Sequence, residues 1–469
     1  MNILFIYPIP SPKHTFIDYH HGLSLLSALA KAEGHQSSLY MTHQFSQQAI
    51  NRAVQQVKPD LLAYSVTSDQ LQLAQAHMDY LSRLSVFSLV GGVHASVRPE
   101  DFIDRCDCVC RGEGEVAWTE LLRGKSFRQI NNLVYSDGGS IHHNPMHPFL
   151  QDLDALPFSD RELFDYQSSL DIDHRADFIA GRGCPYRCSY CVNNWLHSLA
   201  DGRYVRLRSP ENLLLEIQQV LNRYQRIDSI CFQDDTFTFN KQWIEAFCGL
   251  YRRQIHLPFV CNLRAETASR EMIAMLADTG CKEIRIGVEQ GNERLRRDVL
   301  KRKMSNQQLV EAFTEIKKAG IRVFAYNMVG IPGETKSTIQ ETIDLNKRLK
   351  PDKIHVSLFH PYPGTELYDQ CLAADIDVAR IHGSYFAPVA AIETDKLKKK
   401  EIEFLYRTFR VAVLFPFLLP FAKFLARIKV RKHQTLYDIS YTSMFRIAQF
   451  IQRHMPKRFR TALFNILKV

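Results

Sequence analysis

Three cysteines stand close together in the stretch Gly181-Arg182-Gly183-Cys184-Pro185-Tyr186-Arg187-Cys188-Ser189-Tyr190-Cys191. With three and then two residues between them, their thiolates can converge on one compact metal centre. A structural zinc site wants four closed ligands, and no second cysteine or histidine pair of suitable spacing follows. Three cysteines suit a [4Fe-4S] cluster with three irons held and one left open, a departure from the usual four-cysteine ligation. Such a centre offers redox chemistry with a free coordination position.

The elements that must position this loop are legible as alternating strands and helices. Over residues 1–142, short apolar runs (Ile3 to Tyr7, Gln36 to Tyr40, Leu61 to Val66, Val86 to Val90 and Cys108 to Cys110) are separated by helix-length segments. This pattern predicts a parallel α/β sheet wound on both faces, a Rossmann-like domain. Ligands bind such folds outside the carboxyl ends of the strands. Three turns qualify there: Ser65-Val66-Thr67, Gly91-Gly92-Val93-His94 and Arg111-Gly112-Glu113-Gly114-Glu115. Ordinary strand-to-helix turns use glycine in the same way.

Residues 143–176 carry Pro145, Pro148 and Pro157 among acidic residues and read as a linker. From 177 to 375 the strand candidates are Phe178 to Gly181, Ser229 to Gln233, Phe259 to Asn262, Glu283 to Val288, Arg322 to Met328 and Lys353 to Phe359. Six βα units predict a partial (β/α)6 barrel, with its chemistry at the carboxyl ends of the strands. Residues 376–469 form a helical, basic C-terminal region. The fold class is therefore α/β throughout the first two domains.

The cysteine stretch resembles the signature of radical S-adenosylmethionine (SAM) enzymes. Asp234-Asp235-Thr236-Phe237, Gly287-Val288-Glu289-Gln290-Gly291, Met328-Val329-Gly330-Ile331-Pro332-Gly333-Glu334-Thr335 and Tyr362-Pro363-Gly364-Thr365-Glu366-Leu367 are similar to later motifs of that superfamily. With the Gly-Gly-Val-His and Arg-Gly-Glu-Gly-Glu turns, the chain looks like the cobalamin-binding branch over about residues 1–410. The resemblance implies three cofactors: a [4Fe-4S] cluster on Cys184, Cys188 and Cys191, S-adenosyl-L-methionine, and cobalamin.

For SAM it implies Tyr190 beside the cluster, Asp234 and Asp235 toward the amino group, Arg264 toward the carboxylate, Glu289 toward the ribose, and Gly330 and Gly333 beneath the adenine. Helix capping by Asp234 and Asp235, a surface ion pair for Arg264 and a plain turn around Pro332 are the structural alternatives. For cobalamin it implies Ser65, Thr67, Gly91, Gly92, His94 and Glu113. The best-known cobalamin pattern, Asp-x-His-x-x-Gly, is departed from. In Asp18-Tyr19-His20-His21-Gly22 the glycine comes too early. We expect a corrinoid without a protein histidine on cobalt. A domain without bound cobalamin would show the same departure.

Cys106, Cys108 and Cys110 alternate, so a strand would point them to one face, where buried cysteines act as small hydrophobes. Cys231, Cys248, Cys261, Cys281 and Cys371 are scattered and read as structural, and His142, His143 and His147 as solvated loop residues.

The chain has 469 residues, 45% hydrophobic and 23% charged, which excludes wholesale disorder and a small disulfide scaffold. Its start shows no basic n-region, so we expect a cytoplasmic protein whose cysteines stay reduced. The net charge of +9 is uneven: Ala422 to Val469 holds eleven basic residues and one acid, and the rest is close to neutral. A nucleic-acid partner is therefore not expected from the overall charge. The eleven apolar residues Val411 to Phe421, broken by Pro416 and Pro420, are too short to span a bilayer. Together with the basic tail, they fit either helices packed on the barrel or peripheral contact with a membrane, and the latter would go with a lipid-like substrate.

The resemblance implies a 5′-deoxyadenosyl radical that abstracts hydrogen from an unactivated carbon, an electron donor of flavodoxin or ferredoxin type, and most often methyl transfer to a small-molecule or lipid-like substrate. Ring formation or rearrangement without net methyl transfer is the alternative outcome. A methylthiotransferase-like RNA enzyme would need a second set of cluster cysteines and a nucleic-acid-binding barrel. A cobalamin- or SAM-binding sensor would have no use for an oxygen-labile cluster. No side chain stands out as catalytic acid or lid.

Overall fold

The computed structural model describes residues 1–9, 19–376, 378, 389–394, 396–431 and 434–436. The chain divides into two compact units, one of residues 1–173, 177–227 and 362–369, the other of 174–176, 228–361 and 370–469.

The first unit is built on a seven-stranded sheet with the order β2-β1-β3-β4-β5-β6-β7. Its strands are β1 (Asn2–Pro8), β2 (Gln36–Thr42), β3 (Leu61–Ser65), β4 (Phe87–Gly91), β5 (Cys108–Cys110), β6 (Leu133–Asp137) and β7 (Ser140–His143). The first five pair in parallel, while β6 and β7 add an antiparallel hairpin. Helices α1 (His21–Ala32), α2 (Gln47–Val57), α3 (Leu71–Leu81), α4 (Val93–Val97) and α5 (Glu115–Leu122) form the crossovers. Strand β1 shows why both faces are covered: Ile3, Phe5 and Tyr7 enter one core cluster, and Leu4 and Ile6 enter the other.

Two expectations change here. His142 and His143 lie in exposed strand β7 rather than in a loop, and His142 stacks on Tyr135 with ring centroids 5.1 Å apart. Cys108 and Cys110 share one core face, but Cys106 precedes the strand and packs against the opposite cluster. Its thiol donates to the carbonyls of Phe102 and Cys108. The alternation fails because the strand begins only at Cys108. The segment 143–176 carries helix α6 (Tyr166–Asp173) and buries Phe149, Leu153, Phe164 and Leu170.

The six-stranded sheet has the order β15-β14-β13-β12-β11-β8. It comprises β8 (Arg175–Phe178), then, past the short pair β9 (Gly181–Arg182) and β10 (Arg206–Leu207), β11 (Ser229–Phe232), β12 (Phe259–Asn262), β13 (Cys281–Glu289), β14 (Arg322–Val329) and β15 (Lys353–Leu358). Strands β11 to β15 pair in parallel, and β8 and β15 end the sheet, which is an open, partial barrel. Helix α7 (Asn193–His197) follows the cysteines, and α8 (Pro210–Arg223) starts on a Ser209 cap with proline at its first position. The later crossovers are α9 (Lys241–Gln254), α10 (Arg270–Asp278), α11 (Glu293–Asp298), α12 (Asn306–Lys318) and α13 (Lys336–Leu349). Ser305 and Gln308 form a capping box on α12. After α14 (Glu366–Ala373), helix α15 (Lys399–Leu414) buries Ile402, Phe409, Ala412 and Val413 against β15 and α13, and α16 (Leu419–Arg427) follows. Among the described residues no helix is long and apolar enough to cross a membrane.

Candidate functional site

In the first unit, β9 and β10 pair antiparallel and close the base of the cysteine loop. The two glycines beside Arg182 permit this closure. A Cβ on Gly181 would meet the Arg206 carbonyl oxygen at 2.5 Å, and one on Gly183, at φ +79°, would meet that of Tyr204 at 2.7 Å. Cys188 is buried and Cys184 and Cys191 are half-buried, and all three are free of disulfides. The Cys191 N–H donates to the Cys188 carbonyl at 3.1 Å, and the Asn193 amide donates to the Cys191 sulfur at 3.4 Å. Tyr204 hydroxyl holds the other end of Asn193. Tyr190 is half-buried beside Cys191. Leu367 N–H donates to the Ser189 carbonyl at 3.0 Å, so the Tyr-Pro-Gly-Thr-Glu-Leu motif supports the same loop.

A zinc ion draws its ligands to about 2.3 Å from one point, whereas a cubane spreads three thiolates over three irons. Three thiols in no disulfide, on one glycine-closed loop, fit the cubane.

The loop base is fastened to the turn after β5. Arg206 donates from Nη2 to Glu113 Oε1 at 2.8 Å and from Nη1 to Oε2 at 2.9 Å. Arg182 donates to Glu113 Oε1 at 2.8 Å and to Glu115 Oε1 at 2.5 Å. Burial alone would raise the Glu113 pKa, but the hydrogen bonds and charges of Arg206 and Arg182 win and hold it down to about 2. Leu150 N–H takes the remaining direction on Oε2. Both oxygens of Glu113 are thus engaged within the protein, which makes it a support of the loop. Arg206 carried no motif in the sequence. Its signal was a carboxylate in Arg-Gly-Glu-Gly-Glu that needs a cation once buried.

The other turns meet at the carboxyl edge of the first sheet. Ser65 pairs in register with Gly91, and Thr67 caps the turn after β3. Gly92 has φ +100°, and a Cβ there would meet Val66 N at 2.5 Å and O at 2.6 Å, so only glycine lets these two turns touch. His94 is buried, with Nδ1 at 2.7 Å from Ser68 Oγ and Nε2 at 2.8 Å from Asp101, and both nitrogens are occupied. His20 caps α1, accepting from Leu23 N–H, and burial holds its pKa down to about 4. The buried His21 Nε2 finds no hydrogen-bond partner among the described residues. This cradle of closely apposed glycine turns at the strand ends fits a large polar ligand such as a corrinoid.

In the second unit the remaining residues stand at strand ends. Asp234 is buried and Asp235 exposed after β11, and Asn262, closing β12, donates to the Asp234 carbonyl at 2.6 Å. Arg264 is buried and paired with Glu266 at 2.6 Å, a partner that the sequence analysis did not single out. Burial pushes Glu266 up, but Arg264 outweighs it and the carboxyl is lowered overall. Glu289 ends β13 at φ +62°, folded back over Gly287, whose carbonyl accepts from Arg302 at 2.6 Å. Gly330 and Gly333 both have positive φ, and Gly330 N–H donates to the fully buried Glu334.

Glu334 also accepts from Gln290, whose oxygen takes the Thr342 hydroxyl. Burial raises Glu334 against these hydrogen bonds to about 8. Gln290 and Glu334 lie inside recognised motifs, yet their role as a tie between the turns after β13 and β14 was not visible from spacing.

Comparison with known proteins gives the two halves the same reading. Residues 178–345 match the radical SAM superfamily and residues 18–122 match the B12 binding domain. An uncharacterised methyltransferase of Pyrococcus horikoshii is 26% identical, over 70% of this chain and 72% of its own. The anaerobic magnesium-protoporphyrin IX monomethyl ester cyclase of Rubrivivax gelatinosus is 21% identical, over 79% and 70%. The radical SAM methyltransferase TsrM from Kitasatospora setae, solved with tryptophan and a SAM analogue, shares the fold at TM-score 0.65 and 16% identity, over 79% of this chain and 76% of that one. The cofactors that these two domains imply are the [4Fe-4S] cluster, SAM and cobalamin. Carrying both domains in this order, the chain belongs to the cobalamin-binding radical SAM enzymes.

Proposed function

We propose that this enzyme transfers a methyl group to an unactivated carbon of a small-molecule or lipid-like substrate. What supports the reading is the pairing of a B12 binding domain with a radical SAM domain, whose cysteine loop is fastened through Arg182 and Arg206 to Glu113 in the turn after β5. When bound, the cluster supplies the electron that cleaves SAM, and cobalamin carries the methyl group. Cys184, Cys188 and Cys191 would hold three irons, with the Asn193 amide donating to the Cys191 sulfur. Ser65, Thr67, Gly91 and Gly92 line the corrinoid, with His94 and Glu113 holding those turns in place. In this reading His20 would not be a ligand of the cobalt, since its Nδ1 serves as a helix cap.

For SAM, Asp234 and Asp235 accept from its ammonium, and Glu289 takes the ribose hydroxyls. Gly330 and Gly333, both at positive φ, would shape the turn beneath the adenine, with Ile402 packed against Gly330, and Tyr190 would close the cluster side. Arg264 takes the carboxylate in competition with Glu266, which favours a ligand bearing a full negative charge. A flavodoxin or ferredoxin type protein is the electron donor in this reading. Domain limits at 1–142, 143–176, 177–375 and 376–469 go with it.

The cyclase relative favours a second outcome, ring formation without net methyl transfer. SAM labelled in its methyl group, supplied anaerobically with a candidate substrate, separates the two. Label in the product with S-adenosylhomocysteine formed supports methylation. A product without label contradicts it and supports ring chemistry.

A further inference from the structure

Helix α16 and the turn before it expose large apolar groups instead of burying them. Phe417 is 76% exposed, Phe421 60% and Phe424 59%. In α16 the buried Ala422 marks the inner side, and the outward arc runs from Lys423 and Arg427, both exposed, to Phe424 and Phe421. Two cations thus lie beside two aromatic rings on a helix about 14 Å long, and Phe417 extends the aromatic side into the preceding turn. An aromatic sector flanked by Lys and Arg is the pattern of a helix lying in a membrane interface, its rings among the acyl chains and its cations at the phosphates.

We propose that α16 and the turn before it dock this enzyme on an anionic lipid surface. Charge decides against the other occupants. A second copy placed symmetrically on the patch would bring four cations into one interface, and α16 holds no acid to pair them. By composition the chain from 437 to 469 is itself basic, with six basic residues against one acid, so its charge matches an anionic lipid better than this cationic helix. This docking is independent of the methyl-transfer reading, since it involves none of the residues that hold cofactors.

The test is co-sedimentation of the full chain with vesicles of phosphatidylcholine alone and of phosphatidylcholine with phosphatidylglycerol, at low salt and at about 1 M salt. The expected result is binding to the anionic vesicles only, lost at high salt. It should be weakened more than about tenfold by Lys423→Glu with Arg427→Glu, and similarly by Phe421→Asp with Phe424→Asp, with iron content and unfolding temperature unchanged. Binding indifferent to both pairs of substitutions would overturn the proposal. So would a lower unfolding temperature in the Phe421→Asp, Phe424→Asp chain without vesicles, which would show the patch packed within the protein. A wild-type dimer that becomes a monomer in that variant would also overturn it, by assigning the patch to a second copy.

Discussion

Arg206 grips both carboxylate oxygens of Glu113, at 2.8 and 2.9 Å, across 93 residues of sequence. One partner closes the cysteine loop and the other belongs to the last parallel βα turn of the first sheet. Removing the carboxylate leaves a guanidinium that is 3% exposed without its ion, so Glu113→Gln is expected to destabilise the first unit by about 3 kcal/mol. The sign with pH follows from the lowered pKa. Stability from this pair is present above the ordinary carboxylate range and fades as pH falls toward about 2. Urea unfolding between neutral and acid pH should show a shallower acid limb in the variant.

Gly92→Ala places a Cβ against the Val66 backbone at a positive φ, so the two turns must separate. The expected outcome is cobalt content lowered at least about tenfold, because the cradle rather than a single contact is lost. Iron content should be retained. Metal analysis of the same preparation reads both.

Glu334 provides a pH test in the second unit. Its pKa is raised, so the folded state keeps a proton that the unfolded state gives up. Stability falls as pH rises from the ordinary carboxylate range to about 8. Glu334→Gln keeps an acceptor for Gly330 and removes this titration. The variant should lose a few kcal/mol less than the wild type between pH 5 and pH 8, measured by denaturant unfolding at each pH.

Local patterns were legible where one element carries the whole signal. Phe259 to Asn262 is a strand with the expected bounds, Ser305 caps its helix, and the three cysteines sit on one loop. Relations between distant elements were not. Glu113 and Arg206 meet only because β5 and β10 are brought together by the fold, and Gln290 reaches Glu334 across two turns. The Cys106 expectation failed for a local reason: the strand begins two residues later, and alternation has meaning only inside a strand.

The most direct measurement is iron, sulfide and cobalt analysis after anaerobic reconstitution, with a SAM cleavage assay under strong reductant, on the wild type, Cys188→Ala and Cys110→Ala. The account predicts about four irons and about one cobalt per chain in the wild type, with 5′-deoxyadenosine formed. Cys188→Ala should lose both iron and cleavage, and Cys110→Ala, a core thiol of β5, should keep both. Iron retained in Cys188→Ala, or lost in Cys110→Ala, would contradict the assignment of the cluster to the loop of Cys184, Cys188 and Cys191.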